Sequence, residues 1–288
     1  MSERHANEKA RRFLLAVRNP DGGWPYTPGN PSSPEATCYA AMALWSGQAA
    51  SDVSRQAIAW ISKHARAGMA PSALHSHWTN SLALLALERL QPSADVKQEL
   101  VKYLLSSGGK RAESSPLSRM NSQLRGWSWI DATFSWVEPT SYALLALKRA
   151  GVQRHERIHE AERMLCDRVG RDGGWNYGNP NVRNVDLPPM MPTTALAAMA
   201  LQHCDASRPI LNRALSVIEQ EVPAHPSTLS LALAVLCFPI YGKPAGRLPE
   251  LLTARQQPDG SWRAQVHLTA LALLASRATA EGINVFKV

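Results

Sequence analysis

Thr140-Ser-Tyr-Ala-Leu-Leu-Ala-Leu147 is a leading Thr followed by alternating small and large apolar residues, and this pattern returns along the whole chain. Clear copies are Thr37-Cys-Tyr-Ala-Ala-Met-Ala-Leu44, Thr194-Ala-Leu-Ala-Ala-Met-Ala-Leu201 and Thr269-Ala-Leu-Ala-Leu-Leu-Ala-Ser276. Two looser copies, Asn80-Ser-Leu-Ala-Leu-Leu-Ala-Leu87 and Ser227-Thr-Leu-Ser-Leu-Ala-Leu-Ala-Val-Leu236, fill the gaps and bring the set to six. A repeat of this period predicts a ring or a solenoid. A segment apolar on all sides predicts a helix buried on every face.

Segments of another kind precede the copies: Glu3 to Val17, Asp52 to Ala67, Ala94 to Leu105, His155 to Val169, Ser207 to Gln220 and Ala245 to Gln256. They carry more charge, with apolar residues at helical spacing, and so predict amphipathic outer helices. Six outer/inner hairpins can close on themselves and remove the exposed ends of an open solenoid. The predicted fold is all-α, an α6/α6 toroid formed as a single domain over residues 1–288.

The remaining features narrow the function classes. At 288 residues and 45% apolar the chain can bury a substantial core. No run of about 18 apolar residues occurs, and Met1-Ser-Glu-Arg-His5 lacks a signal-peptide layout, so a cytoplasmic protein is expected. Cys38, Cys166, Cys204 and Cys237 have no CxxC spacing and read as buried free thiols. The net charge of +8 favours an anionic partner. The basic residues are dispersed rather than gathered on an aromatic-bearing face, which argues against nucleic acid. Without GxxxxGK[ST], GxGxxG or HExxH, no cofactor is called for.

Three connectors share an Asp-Gly turn followed by Trp: Asp21-Gly-Gly-Trp24, Asp172-Gly-Gly-Trp175 and Asp259-Gly-Ser-Trp262. Gly takes positive φ without steric cost and ends the outer helix, and the Trp then covers the helix pair with its indole N–H free to reach a carbonyl. Gln256-Gln-Pro-Asp-Gly-Ser-Trp262 resembles the QW motif of the prenyltransferase and squalene-oxidase repeat superfamily, and Arg18-Asn-Pro-Asp-Gly-Gly-Trp24 and Arg171-Asp-Gly-Gly-Trp175 are similar to it. The resemblance covers essentially the whole chain and implies a terpene cyclase-like domain, related to squalene-hopene cyclase, that binds an isoprenoid or similar apolar chain.

The repeat also serves as a ruler. Two residues before the leading Thr stand Glu35, Glu138 and His267 in the first, third and sixth copies, and Trp78, Pro192 and Pro226 in the others. In the class II terpene cyclases that the chain resembles, a DxDD acid leads into the same helix, which places Glu138 at the acid position. DxDD itself is absent; Val137-Glu138-Pro139 stands in its place, which suits a substrate softer than an unactivated alkene. A cation-type cyclisation or isomerisation needs a buried acid, aromatic faces and an apolar wall. Trp127-Ser-Trp-Ile-Asp-Ala-Thr-Phe-Ser-Trp136 supplies Trp127, Trp129, Phe134 and Trp136 as expected wall and Asp131 as helper to Glu138, with Tyr26, Tyr142, Tyr177, Glu35 and His267 as further contributors.

Other readings of the same residues stand beside this one. Ser33-Pro34-Glu35 and Glu138-Pro139 have the composition of helix starts, in which an acidic first turn complements the dipole. Zinc held by Glu35, Cys38 and His267, as in protein prenyltransferase β subunits, is a less favoured alternative, and so is a non-catalytic toroid that carries a lipid or docks a protein. The long polar connector from Ser106 to Arg125 is expected as a lid over Glu138, with the loop from Asn176 to Met191 closing the other side. The segment from Phe238 to Leu252 mixes apolar and basic residues and is a candidate for peripheral membrane contact, with a plain Pro-rich connector as the favoured reading.

Overall fold

The six apolar repeat segments form the inner helices: α2 (Pro34–Leu44), α4 (His77–Leu90), α6 (Val137–Arg149), α8 (Met191–Ala200), α10 (Thr228–Cys237) and α12 (Val266–Ala280). Between Thr37 and Leu44, and again between Thr140 and Lys148, each side chain is buried. The computed structural model describes residues 3–45, 51–69, 76–90, 94–114 and 117–288. The outer helices are α1 (Glu3–Ala16), α3 (Asp52–Ala67), α5 (Ala94–Ser106), α7 (Glu156–Asp167), α9 (Arg208–Ala224) and α11 (Leu248–Thr253). Each buries one stripe only; in α1 it is Ala6, Ala10, Phe13 and Leu14, at the i, i+3/i+4 spacing of an amphipathic helix.

Each inner helix packs on the next, from α2 through α4, α6, α8 and α10 to α12, and α12 packs back on α2. The outer helix α1 lies against both α12 and α2 and so joins the last repeat to the first. One departure from the all-α expectation is a short antiparallel hairpin, β1 (Asn181–Val182) with β2 (Val185–Asp186), inside the connector before α8. It turns on Arg183 and Asn184, both with positive φ.

The leading Thr has a specific task. The Trp24 backbone N–H donates to Thr37 Oγ1 (2.9 Å), Thr37 donates back to the Trp24 carbonyl, and the indole N–H reaches the Leu14 carbonyl of α1 (2.7 Å). The same clamp joins Trp127 to Thr140 and Leu104, and Trp175 to Thr194 and Leu165. Trp262 repeats it with Thr269 and Leu252, except that the Thr hydroxyl donates to Gln265. A buried polar group left unpaired would cost about 1–3 kcal/mol, and the clamp satisfies a backbone amide and an indole at each site. The Gly of the Asp-Gly turn has φ of 91–92° in all three connectors that carry it. At Gly260 a Cβ would stand 2.4 Å from the Lys9 carbonyl oxygen.

The C-terminal ends of the inner helices are tied differently. Buried Lys148, in the last turn of α6, donates to the carbonyls of Ala200 (2.8 Å) and Gln202 (2.7 Å) and pairs with Glu162 of α7 (2.8 Å). Arg277 of α12 reaches the carbonyls of Ala43 (3.1 Å) and Trp45 (2.5 Å) at the C-terminal end of α2. Both cations complement the negative end of the neighbouring helix. Structural ties therefore occupy the C-terminal ends, and chemistry-bearing side chains gather at the other.

Candidate functional site

Glu35 and Glu138 occupy the first turns of α2 and α6, and on each helix a Tyr follows four residues later, on the same face. These tyrosines, Tyr39 and Tyr142, share a hydrogen bond between their hydroxyls (2.7 Å) and are buried, so they close the interior one turn below the two carboxyls. Trp78, in the first turn of the intervening α4, sets its ring 6.5 Å from that of Tyr142 and meets Trp129 edge-on at 5.4 Å. The Tyr26 hydroxyl donates to Glu35 Oε2 (2.5 Å), and its ring meets His267 of α12 edge-on at 5.4 Å. From α8, the Thr193 hydroxyl donates to Glu138 Oε1 (2.6 Å). The Tyr26 carbonyl also accepts the backbone N–H of Val266 at the start of α12 (2.9 Å), which fixes the connector of the first repeat over the sixth.

Desolvation dominates the electrostatics. Burial raises the pKa of Glu35; the Tyr26 hydrogen bond opposes this, and the nearby Glu138 charge adds to it. Burial likewise raises Glu138 against the opposing bond from Thr193. A helix N-terminus favours a carboxylate by about 0.3–1 kcal/mol, so at both positions the loss of water outweighs the dipole. Burial lowers His267, whose Nδ1 is buried without a hydrogen-bond partner among the described residues. Acids held towards the neutral form beside electron-rich rings are equipped to deliver a proton and to face a cation.

The structure thus brings together Glu35, Glu138, Tyr26, Tyr142, His267 and Trp129. The expectation for Trp127 is corrected: fully buried under the Arg157 guanidinium (4.7 Å from its ring centre), it is the clamp of the third repeat and not cavity wall. Asp131 is also corrected as helper to Glu138; it is exposed, and its carboxylate accepts the Ala132 backbone N–H (2.9 Å). Phe134 and Tyr177 are exposed on the rim, and the half-buried Trp136 packs over Gly178, where a Cβ would come within 2.8 Å of its ring. Tyr177 contributes its backbone, accepting the N–H of Val137 at the start of α6 (2.9 Å).

Trp78, Tyr39 and Thr193 are site residues that the sequence reading did not assign. Trp78 shares the register of Glu35 and Glu138, and Tyr39 lies one turn from Glu35, so both were within reach of the repeat ruler. Thr193 carried no signal of its own. Ser33 caps α2 by accepting the Ala36 N–H (3.3 Å), so the helix-start reading of Ser33-Pro34-Glu35 holds beside the chemical one. Among the described residues no three His, Cys, Asp or Glu side chains gather as a metal site, and Glu35, Cys38 and His267 do not form one.

The two connectors expected to cover the site touch each other: the Asn184 N–H donates to Leu117 O (3.4 Å), and Arg119 pairs with Asp186. Ser115 and Pro116 of the first connector lie outside the described residues. In the segment from Phe238 to Leu252, Phe238, Leu248 and Leu252 are buried, while the prolines and basic residues between them stay at least partly exposed. Exposed apolar side chains stand instead on the loops that lead into the inner helices, among them Leu117, Phe134, Tyr177, Val182 and Val185. No described helix is long and apolar enough to cross a membrane, and all four cysteines are free, with Cys38 and Cys237 buried and Cys166 and Cys204 partly so.

No family model matches the chain. It is 26% identical over 214 residues to a drimenyl diphosphate synthase of Streptantibioticus cattleyicolor, covering 72% of this chain and 39% of that protein. A drimenyl diphosphate synthase of Streptomyces showdoensis is 27% identical over 206 residues, covering 68% and 38%. The chain therefore spans about two fifths of the length of the curated relatives it matches. Among solved structures, the type II terpene cyclase MstE from Scytonema, in a variant bound to geranylgeranyl dihydroxybenzoate (substrate), superposes with a TM-score of 0.67 at 16% identity over 98% of each chain. A protein from Actinoplanes gives 0.67 at 20% identity, covering 97% of this chain and all of the other. Over most of its length the chain is a distant homologue of the drimenyl diphosphate synthases, and its fold is that of the type II terpene cyclases.

Proposed function

We propose that the chain is a single-domain α6/α6 toroid that carries out an acid-initiated, cation-type cyclisation or isomerisation of an isoprenoid at the N-terminal ends of its inner helices. The observation that carries this reading is a pair of desolvated carboxyls, Glu35 and Glu138, each one turn above a member of the hydrogen-bonded Tyr39–Tyr142 pair, with Trp78 and Trp129 beside Tyr142. Glu138 is the general acid. Its proton adds to a double bond, and the aromatic faces stabilise the cation while the apolar wall excludes water. The likeness to cyclases that act on prenyl chains supports an isoprenoid as the substrate class. The exposed apolar rim supports uptake from a lipid surface that stores such a substrate.

Incubation with a panel of prenyl diphosphates, epoxides and polyenes is expected to give products isomeric with their substrates. Glu138→Gln is expected to reduce kcat/KM by about 10²–10⁴-fold, the usual contribution of a positioned general acid. Binding without turnover across the whole panel would leave a carrier of lipids and not an enzyme; full activity in Glu138→Gln would place the acid elsewhere.

A further inference from the structure

Glu35 repeats the surroundings of Glu138 from a different helix. Both stand two residues before a clamp Thr, both have a Tyr one turn below, and the two tyrosines are hydrogen-bonded to each other. Each carboxylate accepts from one neutral hydroxyl, of Tyr26 or of Thr193, and among the described residues the groups acting on either carboxyl include no cation. Tyr39, Cys38 and Tyr142 each feel the charge of Glu35, and Tyr142 also feels that of Glu138, so both carboxyls act on the same pair of tyrosines. Burial makes each carboxylate harder to ionise, and the charge of Glu138 adds to this at Glu35.

We propose that Glu35 is the second catalytic carboxyl of this site: it collects the proton that the substrate loses at the end of the reaction. This rests on the cyclase reading above. Glu138–H gives its proton to an alkene carbon, the π pair forming the new C–H bond and leaving a cation. Both carboxylates then face that cation. Any ring closure uses a further π pair, after which a C–H bond adjacent to the final cation breaks. Its electrons form the new double bond, and its proton passes to the Glu35 carboxylate. The product is an isomer of the substrate, one proton has moved from Glu138 to Glu35, and exchange at the mouth returns it; no oxidant or other reactant is needed.

The division of labour follows from the reaction itself: once Glu138 has given up its proton, Glu35, whose carboxylate accepts the Tyr26 hydroxyl (2.5 Å), is the other carboxyl at this end of the inner helices that can receive one. The groups that bear on Glu35 are Tyr26 on its own connector, Cys38 and Tyr39 on α2 and Glu138 and Tyr142 on α6, with His267 of α12 beyond the Tyr26 ring.

Two measurements on the full chain test the proposal separately from the reaction. In the first, the carboxyl carbons are labelled with 13C-glutamate and titrated by NMR, signals being assigned by Glu35→Gln and Glu138→Gln. Glu138→Gln is expected to move the Glu35 midpoint to lower pH, and an unmoved midpoint overturns the pair. In the second, any substrate turned over is run in D2O. Glu35→Gln is expected to retain deuterium at the protonated carbon, lower kcat at least tenfold and divert product to water-captured alcohols. Wild-type rate and product spectrum in that variant overturn its role as base. Coupled titration with no turnover on any substrate leaves the pair standing and sinks the cyclase reading instead.

Discussion

Glu35 lies in the first turn of α2, where the chain ahead of it has already supplied Ser33 as cap and Pro34 as a preorganised first residue. A carboxyl there normally stabilises the helix, yet burial makes its ionised form unfavourable in the folded state. Its folded pKa is raised above the unfolded one, so the stability it contributes is complete below the ordinary carboxylate range and is lost as pH rises through the folded value. Glu35→Gln should therefore melt with the wild type at about pH 4 and above it at pH 8, as read by circular dichroism. An identical difference at both pH values would show that Glu35 is solvated. A group that weakens the fold at neutral pH is the kind retained for chemistry. The register of the repeat made Glu35, Glu138 and His267 legible as one constellation before any coordinates. It could not separate Trp127 from Trp129, because Gly126-Trp127 lacks the Asp-Gly turn that marks the other clamps, and only burial and hydrogen bonding distinguish a clamp from a wall.

At the scale of elements, α6 shows how a scaffold helix is held at both ends. The Tyr177 carbonyl receives its first amide, and Lys148 in its last turn binds Glu162 and two carbonyls at the C-terminal end of α8. Removing one member of such a buried pair costs about 3–5 kcal/mol, far more than an exposed ion pair contributes. Lys148→Met is expected to lower the urea midpoint accordingly, and a change below about 1 kcal/mol would show that water replaces the ammonium. The inner helices were legible because their apolar character is unbroken, and the outer ones because their stripe has helical period. The hairpin of β1 and β2 was not, since two residues per strand carry no alternation to read and the turn depends on positive φ at Arg183 and Asn184. The segment from Phe238 to Leu252 is less legible for a related reason: mixed composition does not say which residues turn inward, and here Phe238, Leu248 and Leu252 do.

At the scale of the whole molecule, the meeting of α12 and α2 depends on pieces from both ends of the chain. Helix α1 packs on both, provides the Leu14 carbonyl to Trp24, and accepts the Gln256 side-chain amide at Ala6 (2.8 Å). Deleting residues 1–17 should leave those donors unpaired and expose the seam, giving fast hydrogen exchange in α2 and α12 and an unfolding transition no longer two-state. Unchanged protection in those two helices would show that the inner helices close without the outer one. The clamps have a further consequence for such a molecule. The separation from Trp to Thr is 7 residues in the sixth repeat, 13 in the first and third and 19 in the fourth, while the clamp that bounds each span stays the same. Whatever lies between those two fixed posts can be exchanged, lengthened or pared back as a cassette, so the lineage could retool the entrance for a new guest without renegotiating the architecture beneath it.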